Sequence, residues 1–160
     1  MAVMYACKAS SVKRCVVTSS VAAIKSGFRE DQLPAGNTFD ESHWAKLDNP
    51  MHPYAKSKTL AEKAAWDFWA SLPEAERFEL VVINPSLIQG PSLGAGTDSE
   101  CENFIKGIVT GSFPEIPRQS ISFVDVRDVA SAHLQALKVD EAKNRRFIVS
   151  GEDLWIREYA

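Results

Sequence analysis

The sequence predicts an α/β fold in which helices cover a mostly parallel sheet. Two observations carry this prediction: short apolar runs alternate with segments of helical periodicity, and the run Leu80–Ile83 holds four consecutive apolar residues. A strand without polar alternation is buried on both faces, which is typical of a parallel sheet between helices. The length of 160 residues, with 45% hydrophobic and 24% charged residues, predicts a single globular domain over 1–160.

The first half of the chain predicts one strand, one long loop and one helix. The strand lies at 15–18, and a polar loop rich in Gly, Pro and Asn follows over 21–50. Pro53 begins the helix, a position where its missing N–H costs no hydrogen bond. Pro73 marks the end of the helix, and the spacing of its apolar residues predicts a buried face made of Ala61, Ala65, Phe68 and Leu72.

The second half predicts three further strands, at 78–83, 121–124 and 147–149. Pro85 ends the first of them, and a loop rich in Gly, Pro and Ser leads to a helix at about 99–110. Asp125 begins another helix, in which Asp128 imitates a capping box. Its predicted buried face consists of Val126, Val129, His133 and Leu137, with His133 interpreted as a core histidine whose hydrogen bonds are satisfied.

The composition argues against several classes of function. A net charge of −3 gives no basic field, so nucleic acid is not a predicted partner. No apolar stretch is long enough to span a membrane, and the N-terminus has no signal-peptide pattern, so no membrane association is predicted. Three cysteines without a CxxC pair and three histidines without metal-ligand spacing predict neither disulfides nor a metal site, and they favour a cytoplasmic location.

Two groups of polar side chains are candidates for chemistry. Tyr54 and Lys58 are four residues apart at the start of the first long helix, so the phenol and the ammonium share one helical face. A fixed cation beside a phenol favours the phenolate and makes the phenol a better proton donor. Thr18, Ser19 and Ser20 end the first strand, where open α/β sheets bind ligands, and a serine there can donate a hydrogen bond to a substrate carbonyl.

Five blocks of sequence together resemble the extended short-chain dehydrogenases/reductases. Within that family the chain looks like the group of dihydroflavonol reductases, cinnamoyl-CoA reductases and fungal methylglyoxal/aldehyde reductases. The blocks occur in family order and with family spacing, at residues 14–20, 39–44, 54–68, 84–91 and 123–130.

The resemblance implies a Ser-Tyr-Lys catalytic set made of Ser20, Tyr54 and Lys58. Ser20 would polarise a carbonyl, Tyr54 would be the general acid, and Lys58 would assist Tyr54 and hold the nicotinamide ribose. The implied cofactor is NADP(H), with NAD(H) left open, and its implied contacts are Tyr54, Lys58, Pro85, Leu87, Ile88 and, on the phosphate side, Ser99. Trp44 and Trp66 are interpreted as packing residues.

The chain departs from the family in one large respect. Family members begin with a Gly-rich strand-turn-helix that holds the pyrophosphate, and none of the eight glycines here forms that pattern. We therefore expect a fragment with a partial Rossmann-like, doubly wound parallel sheet: the C-terminal half of the dinucleotide-binding fold plus part of the substrate domain. Its sheet is expected to expose the edge that pairs with the family's first strand.

These observations predict an NADPH-dependent reductase of a small aldehyde or ketone. Two alternatives stay open: a catalytically inactive relative that serves as a binding or scaffold protein, and a sugar-nucleotide epimerase or hydroxysteroid dehydrogenase of the same superfamily. The intact Ser-Tyr-Lys set favours descent from a working enzyme, whereas the missing cofactor half argues against catalysis by this chain alone.

Overall fold

The computed structural model describes residues 1–92, 94, 100–112, 115, 118 and 120–159. Strands and helices alternate along these residues, as the sequence predicts. None of the described helices combines the length and the apolar character that a membrane crossing requires. In chain order the elements are α1 (Ala2–Ala9), β1 (Arg14–Thr18), α2 (Ala22–Lys25), α3 (Pro53–Ser71), β2 (Glu79–Pro85), β3 (Leu87–Gln89), α4 (Glu100–Val109), β4 (Ser120–Asp125), α5 (Val126–Lys138), β5 (Arg145–Val149), β6 (Asp153–Trp155) and α6 (Ile156–Tyr159).

The main sheet contains three parallel strands in the order β1-β2-β5. β2 lies in the middle, and its residues Leu80–Ile83 are at most 1% exposed, which confirms the prediction of a strand buried on both faces. β1 forms one edge, and its outer side pairs with no strand in the described part of the chain. The sheet thus has the parallel architecture that the apolar run indicates.

Different helices cover the two faces of the main sheet, because successive strand residues point to opposite sides. On one face, α1 and α3 pack against Cys15, Leu80 and Val82. On the other face, α5 packs against Val81 and Ile83. Burial raises the pKa of the Cys15 thiol to about 11, and the neighbouring Cys7 thiol adds to this shift.

A second, small sheet has the order β3-β4-β6, with β3 parallel to β4 and β6 antiparallel to it. β3 and β6 are not among the predicted strands. Pro85 is the last residue of β2, as expected, but the chain enters β3 only two residues later at Leu87. Strands of three residues carry too little periodicity to be recognised in a sequence.

The loop between β1 and α3 is better ordered than its composition suggests. It contains α2 and two single 3-10 turns, at Glu30–Gln32 and Ala35–Asn37. The Ala45 N–H donates to the Ala23 carbonyl at 2.9 Å and so ties the later part of the loop to α2. Gly27 has a φ of 73°, and a Cβ there would meet the Lys46 carbonyl oxygen at 2.5 Å, so a side chain is excluded at this turn.

α3 covers Pro53–Ser71 and begins where the sequence predicts. Its predicted buried face is wrong at Ala61, which is exposed. Thr59 and Glu62 occupy core positions because each finds hydrogen-bond partners, which a search for apolar spacing does not detect. The buried residues of the helix are Ala55, Thr59, Glu62 and Ala65.

α5 also begins where predicted, with Asp125 as its N-cap. Its predicted face is wrong at both ends, since Val126 is 38% and Leu137 is 54% exposed. Val129 and Ala136 are the buried residues. An α-helix turns by about 100° per residue, so Ala136 faces the sheet where its neighbour Leu137 faces outward.

Candidate active site

Three consecutive residues with hydroxyl side chains, Thr18, Ser19 and Ser20, lie at the carboxyl end of β1. The Thr18 hydroxyl lies 2.7 Å from Nε2 of His133. Nδ1 of the same ring lies 2.8 Å from the Val129 carbonyl oxygen. Both ring nitrogens of His133 therefore have partners, Nε2 on β1 and Nδ1 within α5, as expected for a satisfied histidine.

Ser19 and Ser20 are both buried, at 6% and 8% exposure, but their hydroxyls have different partners. The Ser19 hydroxyl donates to the carboxylate of Glu62 on α3 at 2.5 Å. The Ser20 hydroxyl accepts from the Ala22 N–H at 3.1 Å, and it donates to no residue that the structure describes. Of these two serines, Ser20 is the one whose O–H can still be given to a ligand.

Two contacts beyond β1 fix the backbone that carries Ser20. The amide nitrogen of Asn84 on β2 donates to the Ser20 carbonyl at 3.1 Å. The Val21 N–H donates to the Pro85 carbonyl at 2.9 Å, which continues the parallel pairing past the end of the strand. Hydrogen bonds on both sides of Ser20 therefore fix the backbone that positions its hydroxyl.

Tyr54 and Lys58 lie in the first turns of α3. Tyr54 is 52% exposed, and its backbone N–H donates to Nδ1 of the N-cap His52 at 3.3 Å. Nζ of Lys58 lies 5.9 Å from the centroid of the Tyr54 ring, so the cation and the phenol are adjacent, as their spacing predicts. No carboxylate among the described residues pairs with Lys58.

Glu62 connects α3 to the strand ends, and the sequence analysis missed it. Its side chain is 0% exposed and accepts hydrogen bonds from Ser19 at 2.5 Å, from Asn84 at 2.8 Å and from Arg146 at 2.6 Å. A carboxylate is tolerated in the core because three donors, one of them a guanidinium, replace its water. Its signal in the sequence is its spacing, four residues after Lys58 on a helix that carries Tyr54 and Lys58 on one face.

The structure joins the Ser20 segment and α3 through this carboxylate, and also through α2, which begins two residues after the serine and packs against α3. No hydrogen bond among the described residues joins Ser20 to Tyr54 or Lys58. None is needed for the expected chemistry, because a substrate carbonyl would accept one hydrogen bond from the serine and one from the phenol.

The predicted nicotinamide segment lies where β2 passes into β3. Pro85 is buried at the end of β2, while Leu87 and Ile88 are half-buried in β3 and pair with β4. Ser86, between them, was not predicted; its hydroxyl is buried and has no partner among the described residues. A polar residue within an otherwise apolar segment was the available signal. Ser99 lies outside the described residues.

Both tryptophans of interest pack against protein groups. The Arg146 guanidinium carbon lies 3.8 Å from the centroid of the Trp44 ring. Trp66 packs edge-on against Trp69, with ring centroids 5.8 Å apart. These contacts agree with the packing interpretation, and Trp44 additionally supports the arginine that pairs with Glu62.

Solved structures of reductases share this fold. Yeast methylglyoxal/isovaleraldehyde reductase Gre2, complexed with NADPH, matches with a TM-score of 0.79 and 29% identity, covering 98% of this chain and 49% of that chain. Vestitone reductase from alfalfa (Medicago sativa) matches with a TM-score of 0.78 and 28% identity, at 98% and 49% coverage. These matches confirm the predicted partial Rossmann-like fold.

Curated relatives are similar over most of this chain. The NADPH-dependent methylglyoxal reductase GRE2 of Saccharomyces cerevisiae is 34% identical over 153 residues, which cover 89% of this chain and 44% of that protein. Tetraketide alpha-pyrone reductase 2 of Arabidopsis thaliana is 35% identical over 160 residues, at 96% and 47% coverage. The chain thus spans less than half the length of these relatives.

The same region matches a family pattern. The pattern of the NAD dependent epimerase/dehydratase family covers residues 1–150, which include the strand-end serines, the start of α3 and the segment after β2. The resemblance drawn from the five sequence blocks is therefore confirmed at the level of the family. With its fold, its strand-end hydroxyls and its relatives in agreement, the chain belongs to the NAD-dependent epimerase/dehydratase family.

Proposed function

We propose that the full-length protein is an NADP(H)-dependent reductase that converts a small aldehyde or ketone to an alcohol. One observation carries the proposal. The Ser20 hydroxyl lies at the carboxyl end of β1 and donates to no described residue, and Glu62 connects this strand end to the helix that carries Tyr54 and Lys58. In the proposed site, one carbonyl oxygen would accept hydrogen bonds from Ser20 and Tyr54, with the Lys58 cation beside the phenol. The relatives named as NADPH-dependent reductases support this chemistry.

Two of the three catalytic side chains of the proposal act on the carbonyl oxygen. Ser20 donates a hydrogen bond that polarises the carbonyl, and Tyr54 transfers its phenolic proton to the oxygen as negative charge develops there. Lys58, 5.9 Å from the ring centroid, stabilises the phenolate that remains. The nicotinamide, when bound, supplies the hydride to the carbonyl carbon, so the products are an alcohol and the oxidised cofactor.

The described residues fit the nicotinamide end of such a cofactor. The ammonium of Lys58 has no carboxylate partner in the described part of the chain and suits the ribose hydroxyls. Pro85, Leu87 and Ile88 offer an apolar wall to the ring, and the buried, unpartnered Ser86 hydroxyl suits its carboxamide. Ser99 stays a prediction for the phosphate side, because it lies outside the described residues.

The proposal is tested by NADPH oxidation in the full-length protein with a series of small aldehydes and ketones. We expect turnover of at least one of them, and a loss of ~10²–10⁴ in kcat for Tyr54→Phe. The half-exposed ring keeps its packing in this variant, so NADPH binding followed by fluorescence should stay within about twofold of wild type.

Two outcomes would contradict the proposal. A Tyr54→Phe variant that kept more than about a tenth of the wild-type kcat would show that the proton comes from another group. NADPH binding without turnover of any carbonyl would favour the inactive binding protein instead.

A further inference from the structure

We propose that Glu62 is a positioning residue, which holds the helix of Tyr54 and Lys58 in a fixed place relative to Ser20. The inference rests on the proposed reductase function and adds to it a residue that does not touch the substrate. Its evidence is a buried hydrogen-bond network that reaches both halves of the site.

The Glu62 carboxylate joins one helix to three strands or strand ends. Oε2 accepts from the hydroxyl of Ser19, the neighbour of Ser20, and from the amide nitrogen of Asn84 on β2. Oε1 accepts from Nε of Arg146 on β5. The Asn84 nitrogen also donates to the Ser20 carbonyl at 3.1 Å, so one network fixes both the serine peptide and the helix that carries the phenol.

The Glu62 contacts fix α3 at some distance from the Tyr54 phenol, whose position depends on how the helix is held. At 1.5 Å of rise per residue, Glu62 lies ~12 Å along α3 from Tyr54 and ~6 Å from Lys58. Tyr54 is 52% exposed, so its own side chain adds little packing that would hold it in place. A catalytic group displaced by ~1 Å loses on the order of 10² in rate.

Stability alone is a poor explanation for a buried carboxylate. Taking both charges of an ion pair out of water offsets most of their attraction, and apolar residues of similar size stabilise a fold at least as well. The side chains of Glu62 and Arg146 are nevertheless 0% and 8% exposed and are 2.6 Å apart. A network of directional bonds fixes a geometry more narrowly than apolar packing does.

A second ion pair in the same sheet provides a matched control. Arg14 is also 8% exposed, pairs with Glu79 at 2.7 Å and donates to two backbone carbonyls, as Arg146 does. This pair lies at the amino ends of β1 and β2, whereas Ser20 follows the carboxyl end of β1. It therefore reproduces the arginine–glutamate contact away from the site, with a carboxylate that is 36% exposed where that of Glu62 is fully buried.

The experiment compares Glu62→Gln with Glu79→Gln in the full-length protein. Glutamine keeps the size of the side chain, but its NH₂ group must face either Arg146 or the two donors on the other side, so part of the network is lost. We expect Glu62→Gln to lower kcat by ~10- to 100-fold per folded molecule, with the KM for the carbonyl substrate within about threefold. Glu79→Gln should keep kcat within about twofold, even where its melting temperature falls.

Ser19→Ala keeps the test decisive if Glu62→Gln does not fold. It removes one hydroxyl and leaves the ion pair intact, and we expect kcat to fall by at least about threefold. Wild-type kcat in folded Glu62→Gln would overturn the proposal, and so would wild-type kcat in Ser19→Ala where Glu62→Gln does not fold. An equal loss of kcat in Glu79→Gln would overturn it as well, because the effect would then be general destabilisation.

Hydrogen exchange separates this inference from the proposed function. If the wild-type protein reduces no carbonyl, the proposed function fails, and amide exchange at residues 54–60 then tests the anchor by itself. Faster exchange there in Glu62→Gln than in Glu79→Gln supports an anchored helix start, and equal exchange overturns it.

Discussion

At the scale of single residues, the end of β1 shows how three neighbouring hydroxyls acquire different uses. Thr18 is bonded to His133 and Ser19 to Glu62, while the Ser20 proton is given to no described residue. The family resemblance selects the second serine as catalytic. The hydrogen bonds supply a separate reason for the same choice, because the other O–H is already committed to a buried carboxylate.

Lys58→Ala should behave differently from Tyr54→Phe. The change removes both the cation beside the phenol and a donor suited to the cofactor ribose, so kcat and NADPH affinity should fall together. Steady-state kinetics and NADPH fluorescence titration measure the two effects. Lys56→Ala, at an exposed position on the same helix, is the matched control and should change neither. Normal NADPH affinity in Lys58→Ala would contradict the assigned ribose contact.

The sequence predicted the residues whose chemistry depends on local spacing and missed those that depend on contacts across the fold. Tyr54 and Lys58 are one turn apart on one helix, which spacing alone reveals. Glu62 and Ser86 stand out only in the structure, where both are buried. Glu62 has hydrogen-bond partners from elsewhere in the chain, and the Ser86 hydroxyl has none among the described residues. A carboxylate in a helix otherwise looks like a solvated surface residue.

At the scale of elements, the starts of helices were predicted better than their buried faces. Pro53 and Asp125 mark the beginnings of α3 and α5 through backbone chemistry that acts within a few residues. The faces depend on what each helix packs against. Ala61 and Leu137 fit an apolar spacing but are exposed. In α3 the buried position beside Ala61 belongs to Glu62, which has hydrogen-bond partners, and in α5 the buried position beside Leu137 belongs to the smaller Ala136.

The N-cap of α5 predicts a pH dependence of stability. The side chain and backbone N–H of Arg127 lower the pKa of Asp125 to about 2, from an ordinary value of ~3.9. Because the folded pKa is the lower one, the stabilisation is fully present above about pH 4 and is lost as the pH falls toward about 2.

Asp125→Asn tests this dependence, since asparagine keeps an acceptor for the cap without the charge. We expect a lower melting temperature at neutral pH and a smaller further fall between about pH 4 and about pH 2 than in wild type. Thermal melts followed by circular dichroism measure both. The same pH dependence in the two proteins would show that the charge of this carboxylate does not support the helix.

At the scale of the whole molecule, one run of consecutive apolar residues was enough to predict the main parallel sheet. The small second sheet was not predicted. β2 is buried on both faces, so its central residues are all apolar, and a run of consecutive apolar residues is easily recognised in a sequence. β1 forms an edge whose outer side pairs with no strand in the described chain, as expected. Such an edge presents unpaired backbone groups that favour association with another strand.

The 160-residue chain by itself should bind NADPH weakly or not at all. The residues proposed to contact the nicotinamide lie in this chain, but the sequence has no Gly-rich turn whose backbone N–H groups would hold the pyrophosphate. Fluorescence titration of this chain, with the NADPH-binding yeast reductase Gre2 as the positive control, measures the difference. Micromolar binding by the 160-residue chain would contradict the prediction.

The Cys15 thiol of β1, which packs against α1, provides a natural reporter of motion in this part of the core. Because burial raises its pKa to about 11, it is almost entirely protonated at neutral pH and slow to react with alkylating reagents. Separation of α1 from the sheet would hydrate the sulfur and restore ordinary reactivity. The alkylation rate of the Cys15 peptide, followed by mass spectrometry, therefore records how often this corner of the protein opens, without any engineered label.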